Sequence, residues 1–184
     1  MFDHFDLLAP LYDRAIPFAR LDLMLKLVQL PVDGILLDAG GGTGRVAEAL
    51  KPYTRDVLVA DLSAGMLSQS RRKKLTALLA PSEKLPFASG TFPRIIMVDA
   101  LHHVINQRET IAELWRVLET GGRLVIEEPD IRTLTVKFVA LVEKLALMRS
   151  HFISPPAIAS YFPPEARVTI EIESYNAWVI AEKE

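Results

Sequence analysis

Short apolar runs alternate along the chain with stretches whose apolar residues recur at helical spacing. The runs are ILLDA (Ile35 to Ala39), VLVAD (Val57 to Asp61), TALLA (Thr76 to Ala80), RIIMVD (Arg94 to Asp99) and RLVIEE (Arg123 to Glu128). Each has strand length and reads as buried on both faces. Between them, RVAEALK stops at Pro52, SAGMLSQSRRKK opens with Ser63 placed as an N-cap, and RETIAELWRVL stops at Gly121 and Gly122. These are three crossover helices. Repeated strand, helix, strand units predict an α/β fold, a mostly parallel sheet with helices on both faces. Near the end, VTIEIES alternates apolar with polar and NAWVIAEK follows at once, which predicts a terminal antiparallel hairpin at the sheet edge. Leu134 to Phe152 is apolar but interrupted by Lys137, Glu143, Lys144 and Arg149, too often charged to span a bilayer. It reads as an amphipathic helix with Leu134, Phe138, Leu141, Val142, Leu145 and Met148 on one face.

Length and composition narrow the picture. At 184 residues, half of them hydrophobic, one domain is expected. Twenty-one basic residues against 23 acidic ones leave a charge of -2, so no global field favours nucleic acid or an anionic membrane, and a small-molecule partner is expected. Without cysteine there is no disulfide, no thiolate nucleophile and no sulfur-ligated metal; a cytoplasmic location is expected. The opening MFDHFDLLAP lacks the basic start and cleavage site of a signal peptide. Composition leaves the oligomeric state open.

In an open parallel sheet, ligands bind beyond the carboxyl ends of the strands. Asp38, Asp61 and Asp99 lie there, each at or within one residue of a predicted strand end. The loop DAGGGTGR follows the first strand, and its glycines let the backbone approach a ligand closely. Gly42, Gly44 and Ala47 also satisfy the loose dinucleotide pattern, with Asp61 as the ribose acid. Charge separates the two readings. Asp38 would set a carboxylate near a dinucleotide's pyrophosphate, whereas S-adenosylmethionine has no phosphate and offers an ammonium and a sulfonium. Asp61 serves either ribose.

In order, ILLDAGGGTG, VADLSAGML, SEKLPFASGTF, ALHHV and ELWRVLETGGRLVI resemble the motif series of class I S-adenosylmethionine-dependent methyltransferases, most closely the ubiquinone/menaquinone-biosynthesis type. The likeness runs from FDLLAPLYD near Phe5 to Glu128. It implies a Rossmann-like seven-stranded sheet, with residues 1–33 as N-terminal cap helices, 34–128 as the cofactor-binding core, and 129–184 as lid helix and closing hairpin. It also implies that Gly40, Gly42 and Thr43 line the methionine moiety beside Asp38, that Asp61 and Leu62 sit at the ribose, and that Met66 faces the adenine. Ser82 and Glu83 fall at the adenine edge, Val98 flanks the sulfonium, and Tyr12 closes over the methionine end. Two segments depart from the family. Pro81, Ser82 and Glu83 replace its usual acid before Ala-Glu, removing an acceptor for the adenine amine, and Pro93 replaces the Asp of Ser-Phe-Asp.

Methyl transfer from a sulfonium is an in-line displacement that needs alignment and a dry cleft, with no metal. If the acceptor atom carries a proton, His102 or His103, just beyond the fourth strand, is placed to take it; equally, either caps the next helix. Asp99 fits an acidic rim. Glu127 and Glu128 read as solvated residues at a strand terminus, Trp115 and Leu118 as core positions on a crossover helix, and Arg71 to Lys74 as dipole-matching charges at a helix end. The expected activity is methyl transfer to a small, apolar molecule admitted beneath the helix from Leu134. A nucleotide-dependent oxidoreductase and an inactive cofactor-binding module are the alternatives, since a fold by itself separates none of these.

Overall fold

The computed structural model describes residues 18–145 and 150–184, so Tyr12 and the rest of the N-terminal segment lie outside the described residues. Seven strands form one sheet: β1 (Val32–Ala39), β2 (Thr54–Asp61), β3 (Thr76–Leu79), β4 (Phe92–Val98), β5 (Leu118–Pro129), β6 (Arg167–Glu173) and β7 (Asn176–Glu182). Their order is β3-β2-β1-β4-β5-β7-β6. The first five strands are mutually parallel, and β7 pairs antiparallel with both β5 and β6. The Rossmann-like sheet and its terminal hairpin are therefore present as the apolar runs require.

Alternation along the strands divides the core in two, because successive side chains point to opposite faces. Leu36, Ile96, Val98, Trp178 and Ile180 pack on α1 (Leu21–Val28), α2 (Arg45–Leu50) and α3 (Ala64–Arg72), through Met24, Val46 and Leu67. Leu37, Ile95, Met97, Val179 and Ala181 pack on α4 (Gln107–Val117) and α6 (Pro155–Ala159), through Ile111, Leu114 and Ile158. Ser63 caps α3 as its position suggests, its Oγ accepting the Met66 N–H at 3.1 Å.

The structure corrects three expectations. α4 ends at Val117, before the two glycines, because Leu118 already pairs with Phe92 of β4 and Gly121 and Gly122 exchange backbone hydrogen bonds with Lys183. Leu118 thus belongs to a strand, although it and Trp115 do join the core, Trp115 edge-on to Phe162. β3 is an edge strand and only partly covered, not buried on both faces. Glu127 and Glu128 are buried, because β7 and the turn after β4 cover the end of β5. Beyond these, Leu134, Phe138 and Leu141 of α5 (Leu134–Leu145) are 83%, 67% and 53% exposed while Val136 takes the inward position. The side chains of Val142, Leu145 and Met148 lie outside the described residues. Among the described residues, no helix is long and apolar enough to cross a membrane, and no cluster of three metal-ligating side chains occurs.

Truncating a residue of the two-sided core removes both transfer energy and packing. Leu37→Ala, at the centre of β1, is expected to cost about 2–5 kcal/mol in urea unfolding. Leu79→Ala, on the exposed edge, should stay within about 0.5 kcal/mol.

Candidate active site

The strand order reverses between β1 and β4, and the loops leaving the two strands part there. A cleft of about 260 Å³ opens at this point. Its floor is the glycine loop after β1, where Gly40 and Gly42 adopt φ of 69° and 54°, values that L side chains rarely reach. A Cβ on Gly40 would lie 2.7 Å from Ala100, whereas at Gly42 it would meet nothing closer than Asp61 at 3.8 Å, so that glycine leaves cavity space open. The loop is pinned from both sides. Gly40 donates to the Ala60 carbonyl at 2.7 Å, and the Ser70 hydroxyl to the Gly42 carbonyl at 2.7 Å.

Asp61 ends β2 and is held rigidly. Its Oδ2 accepts the Gly42 N–H at 2.9 Å and its Oδ1 the Ser63 N–H at 2.8 Å. Two backbone donors thus orient its carboxylate at the cavity wall. Leu62 and Met66 stand beside it on the cavity wall, and Ser82, buried, and Glu83 close the same side. Glu83 is partly committed, since its Oε1 accepts the N–H groups of Ile105 and Asn106 at 3.2 and 3.3 Å.

Asp38 is the least solvated charge in the cleft, at 1% exposure. Burial pushes its carboxyl up to about 7 from the ordinary 3.8, against the pull of Arg45 and with a further push from Asp61. The Ala47 backbone N–H bonds to the carboxylate, while Oδ2 has no hydrogen-bond partner among the described residues. Arg45, which the sequence reading missed, crosses the cavity from the first turn of α2 and donates to Asp99 Oδ2 at 2.8 Å. Among the described residues it is the one arginine or lysine on the cavity wall. Asp99 itself sits at φ 51°, its N–H on the Glu127 carbonyl.

The two histidines take different places. His103 lines the cavity with Val98, Val104 and Ile105, and burial, reinforced by the charge of His102, lowers its imidazole to about 3. His102 is buried behind the wall with its Nδ1 on Glu128 Oε2 at 2.6 Å. Thr43 is buried and also off the wall. The structure thus gathers Asp38, Gly40, Gly42, Asp61, Leu62, Met66, Ser82, Glu83, Val98 and His103 around one cavity, and sets His102 and Thr43 outside it. Arg45 was missed because a basic residue in an amphipathic helix normally faces solvent; its place directly after the glycine loop was the available signal.

Comparison with known proteins agrees with this architecture. A family described as "Methyltransferase domain" matches residues 37–126. The chain is 33% identical over 135 residues to a ubiquinone/menaquinone biosynthesis C-methyltransferase from Coxiella burnetii, covering 67% of this chain and 54% of that protein. It is 26% identical over 188 residues to a demethylmenaquinone methyltransferase from Renibacterium salmoninarum, covering 95% and 79%. It spans about half the length of the Coxiella relatives it matches. An S-adenosylmethionine-dependent methyltransferase from Thermotoga maritima superposes with a TM-score of 0.78 at 21% identity over 98% of each chain, and so shares the fold.

The shifted groups make opposing predictions for stability. Between about 4 and about 7 the folded chain holds a proton on Asp38 that the unfolded chain releases, so Asp38 lowers stability as pH rises through that window. Asp38→Asn should therefore gain on the wild type from pH about 4 to about 7. His103 is neutral when folded and takes up a proton below 6.5 only on unfolding, so it lowers stability as pH falls. His103→Gln should gain on the wild type as pH drops from 6.5 towards about 3, and denaturant titrations across this range check both.

Proposed function

We propose that this chain belongs to an S-adenosylmethionine-dependent methyltransferase that transfers a methyl group to a small, apolar acceptor; the likeness of residues 37–126 to a methyltransferase domain supports the reading. The observation that carries the reading is the pairing, at a glycine loop, of a buried carboxylate with an arginine, one carboxylate oxygen having no hydrogen-bond partner among the described residues. An amino-acid zwitterion needs this pair of opposite charges: Asp38 to receive its ammonium, and Arg45 to meet its carboxylate. Asp61 would hold the ribose hydroxyls, with Leu62, Met66 and Ser82 around the adenine.

Bound there, S-adenosylmethionine supplies an electrophilic methyl group on a sulfonium. The residues of this chain do the rest by position. Asp38 and Asp61 would fix the two ends of the cofactor, while Val98, Val104 and Ile105 exclude water from the transfer path. His103 would stand on the cavity wall to position the acceptor; the burial that keeps its imidazole neutral also makes it a weak proton acceptor, so alignment carries the transfer. Placed one residue away but behind the wall, His102 would not meet the acceptor directly.

An apolar acceptor is supported by the cavity mouth. Leu62 and Ile105, the latter 94% exposed, flank the opening, and Leu134, Phe138 and Leu141 of α5 lie beyond β5, where we place a lid. Exposed apolar side chains at a cleft mark a binding surface more often than chance. The named relatives' quinone chemistry is consistent with such an acceptor.

Calorimetry should show micromolar binding of S-adenosylhomocysteine, weakened by about 1.5–3 kcal/mol in Asp61→Ala, the size of a charge-assisted hydrogen bond. Tighter binding of a nicotinamide dinucleotide would contradict the cofactor assignment. In a radiolabelled methyl screen, quinone-like and other apolar acceptors should be preferred over polar amines and acids, and Phe138→Ser should slow transfer to them. Preference for polar acceptors, with Phe138→Ser unaffected, would remove the apolar reading.

A further inference from the structure

We propose that Glu128, acting through the His102 ring, is a positioning residue for methyl transfer: it fixes the turn after β4 so that the His103 ring and the Asp99 carboxylate face the cavity. The proposal rests on the reading that this cavity is where transfer occurs. Five residues of the cavity wall, Asp99, Ala100, His103, Val104 and Ile105, belong to that single turn. What holds the turn therefore sets the wall.

The holding group is one buried carboxylate. Glu128 Oε1 accepts the N–H groups of Ala100 and Leu101 at 3.0 and 2.7 Å. Those donors open the single helical turn Leu101–His103, where no preceding carbonyl of the turn can satisfy them. Oε2 takes His102 Nδ1 at 2.6 Å. The backbone of the turn needs only the first oxygen. The second fixes a ring, which stacks on Phe152 at 4.3 Å with 14° between planes and lies 4.0 Å from the His103 ring. The His102 carbonyl also receives the His151 N–H at 2.7 Å, tying in the segment that returns from α5. Three donors on a side chain this deeply buried offset the cost of removing its charge from water. Neither Glu128 nor His102 lines the cavity, so both act through the residues that do.

The discriminating variant is Glu128→Gln. A glutamine oxygen still accepts the Ala100 and Leu101 N–H groups, but its NH₂ faces His102 Nδ1 and forces the ring into the other tautomer. Proton–nitrogen correlation spectra of the imidazoles in the full chain should show His102 changing tautomer and the His103 ring signals moving with it. S-adenosylhomocysteine affinity should stay within about threefold, while kcat for the best acceptor falls about ten- to a hundredfold with KM little changed, as small displacements of a reacting group do. His102→Phe, which keeps the stacking, should reproduce the loss. His102→Asn, which restores a donor towards Glu128, should recover most of the activity. Unmoved His103 signals in both Glu128→Gln and His102→Phe would overturn the proposal, as would cofactor affinity falling as far as kcat. If the wild type binds S-adenosylhomocysteine yet methylates no acceptor, the transfer reading fails separately, and the His103 signals still decide the positioning.

Discussion

The Asp38 carboxylate is buried at the carboxyl end of β1, the middle one of the five parallel strands, and much of the surrounding structure follows from keeping a charge there. A carboxylate in such a place is costly unless donors reach it. The Ala47 N–H supplies one donor and the positive field of Arg45 opposes protonation, yet the carboxyl still sits near about 7. The glycine loop is shaped to the same group. A Cβ at Gly41 would lie 2.4 Å from Asp38 Cγ, so the loop can wrap the acid only with glycine at that position. A site so arranged stabilises a bound cation more than it stabilises itself.

Around that acid the charges are layered. Arg45 joins Asp99 across the cavity, and the Asp99 N–H rests on the Glu127 carbonyl. Glu127 is bonded by Arg20 at 2.8 Å and by Asn176 at 3.0 Å, and burial followed by the charge of Asp99 raises its carboxyl. The ends of β1, β4 and β5 are thus linked by polar contacts above a mainly apolar core. Function sits where polar groups have been forced together by the sheet's topology, and the core beneath supplies the rigidity.

Much of this was legible in the residues. Apolar runs of strand length, the helical spacing between them, Ser63 as a cap and the VTIEIES hairpin all follow from local pattern, and local pattern dominates where a segment is buried on both faces. Asp61 and the glycines could be placed because a strand end and a loop are each defined by few residues. The remainder depended on packing between distant segments. Glu127 and Glu128 look like solvent-facing charges until β7 and the turn after β4 cover them. His102 and His103 are adjacent in sequence, and which one reaches the cavity is set by Glu128, 26 residues away from His102. The end of α4 shifted because Leu118 found a partner in Phe92, a contact that helix propensity and glycine punctuation cannot register.

We propose the buried Asp38 carboxyl as the counter-charge for the cofactor's ammonium group. Binding a cation beside it must drive off the proton that burial holds there, so proton release is its direct signature. Calorimetry of S-adenosylhomocysteine binding near pH 6, about one pH unit below the Asp38 value, in buffers of different ionisation enthalpy would count those protons. Release of most of one proton per cofactor, lost in Asp38→Asn, is the predicted result. Binding with no proton released, or with the same release in Asp38→Asn, would contradict it.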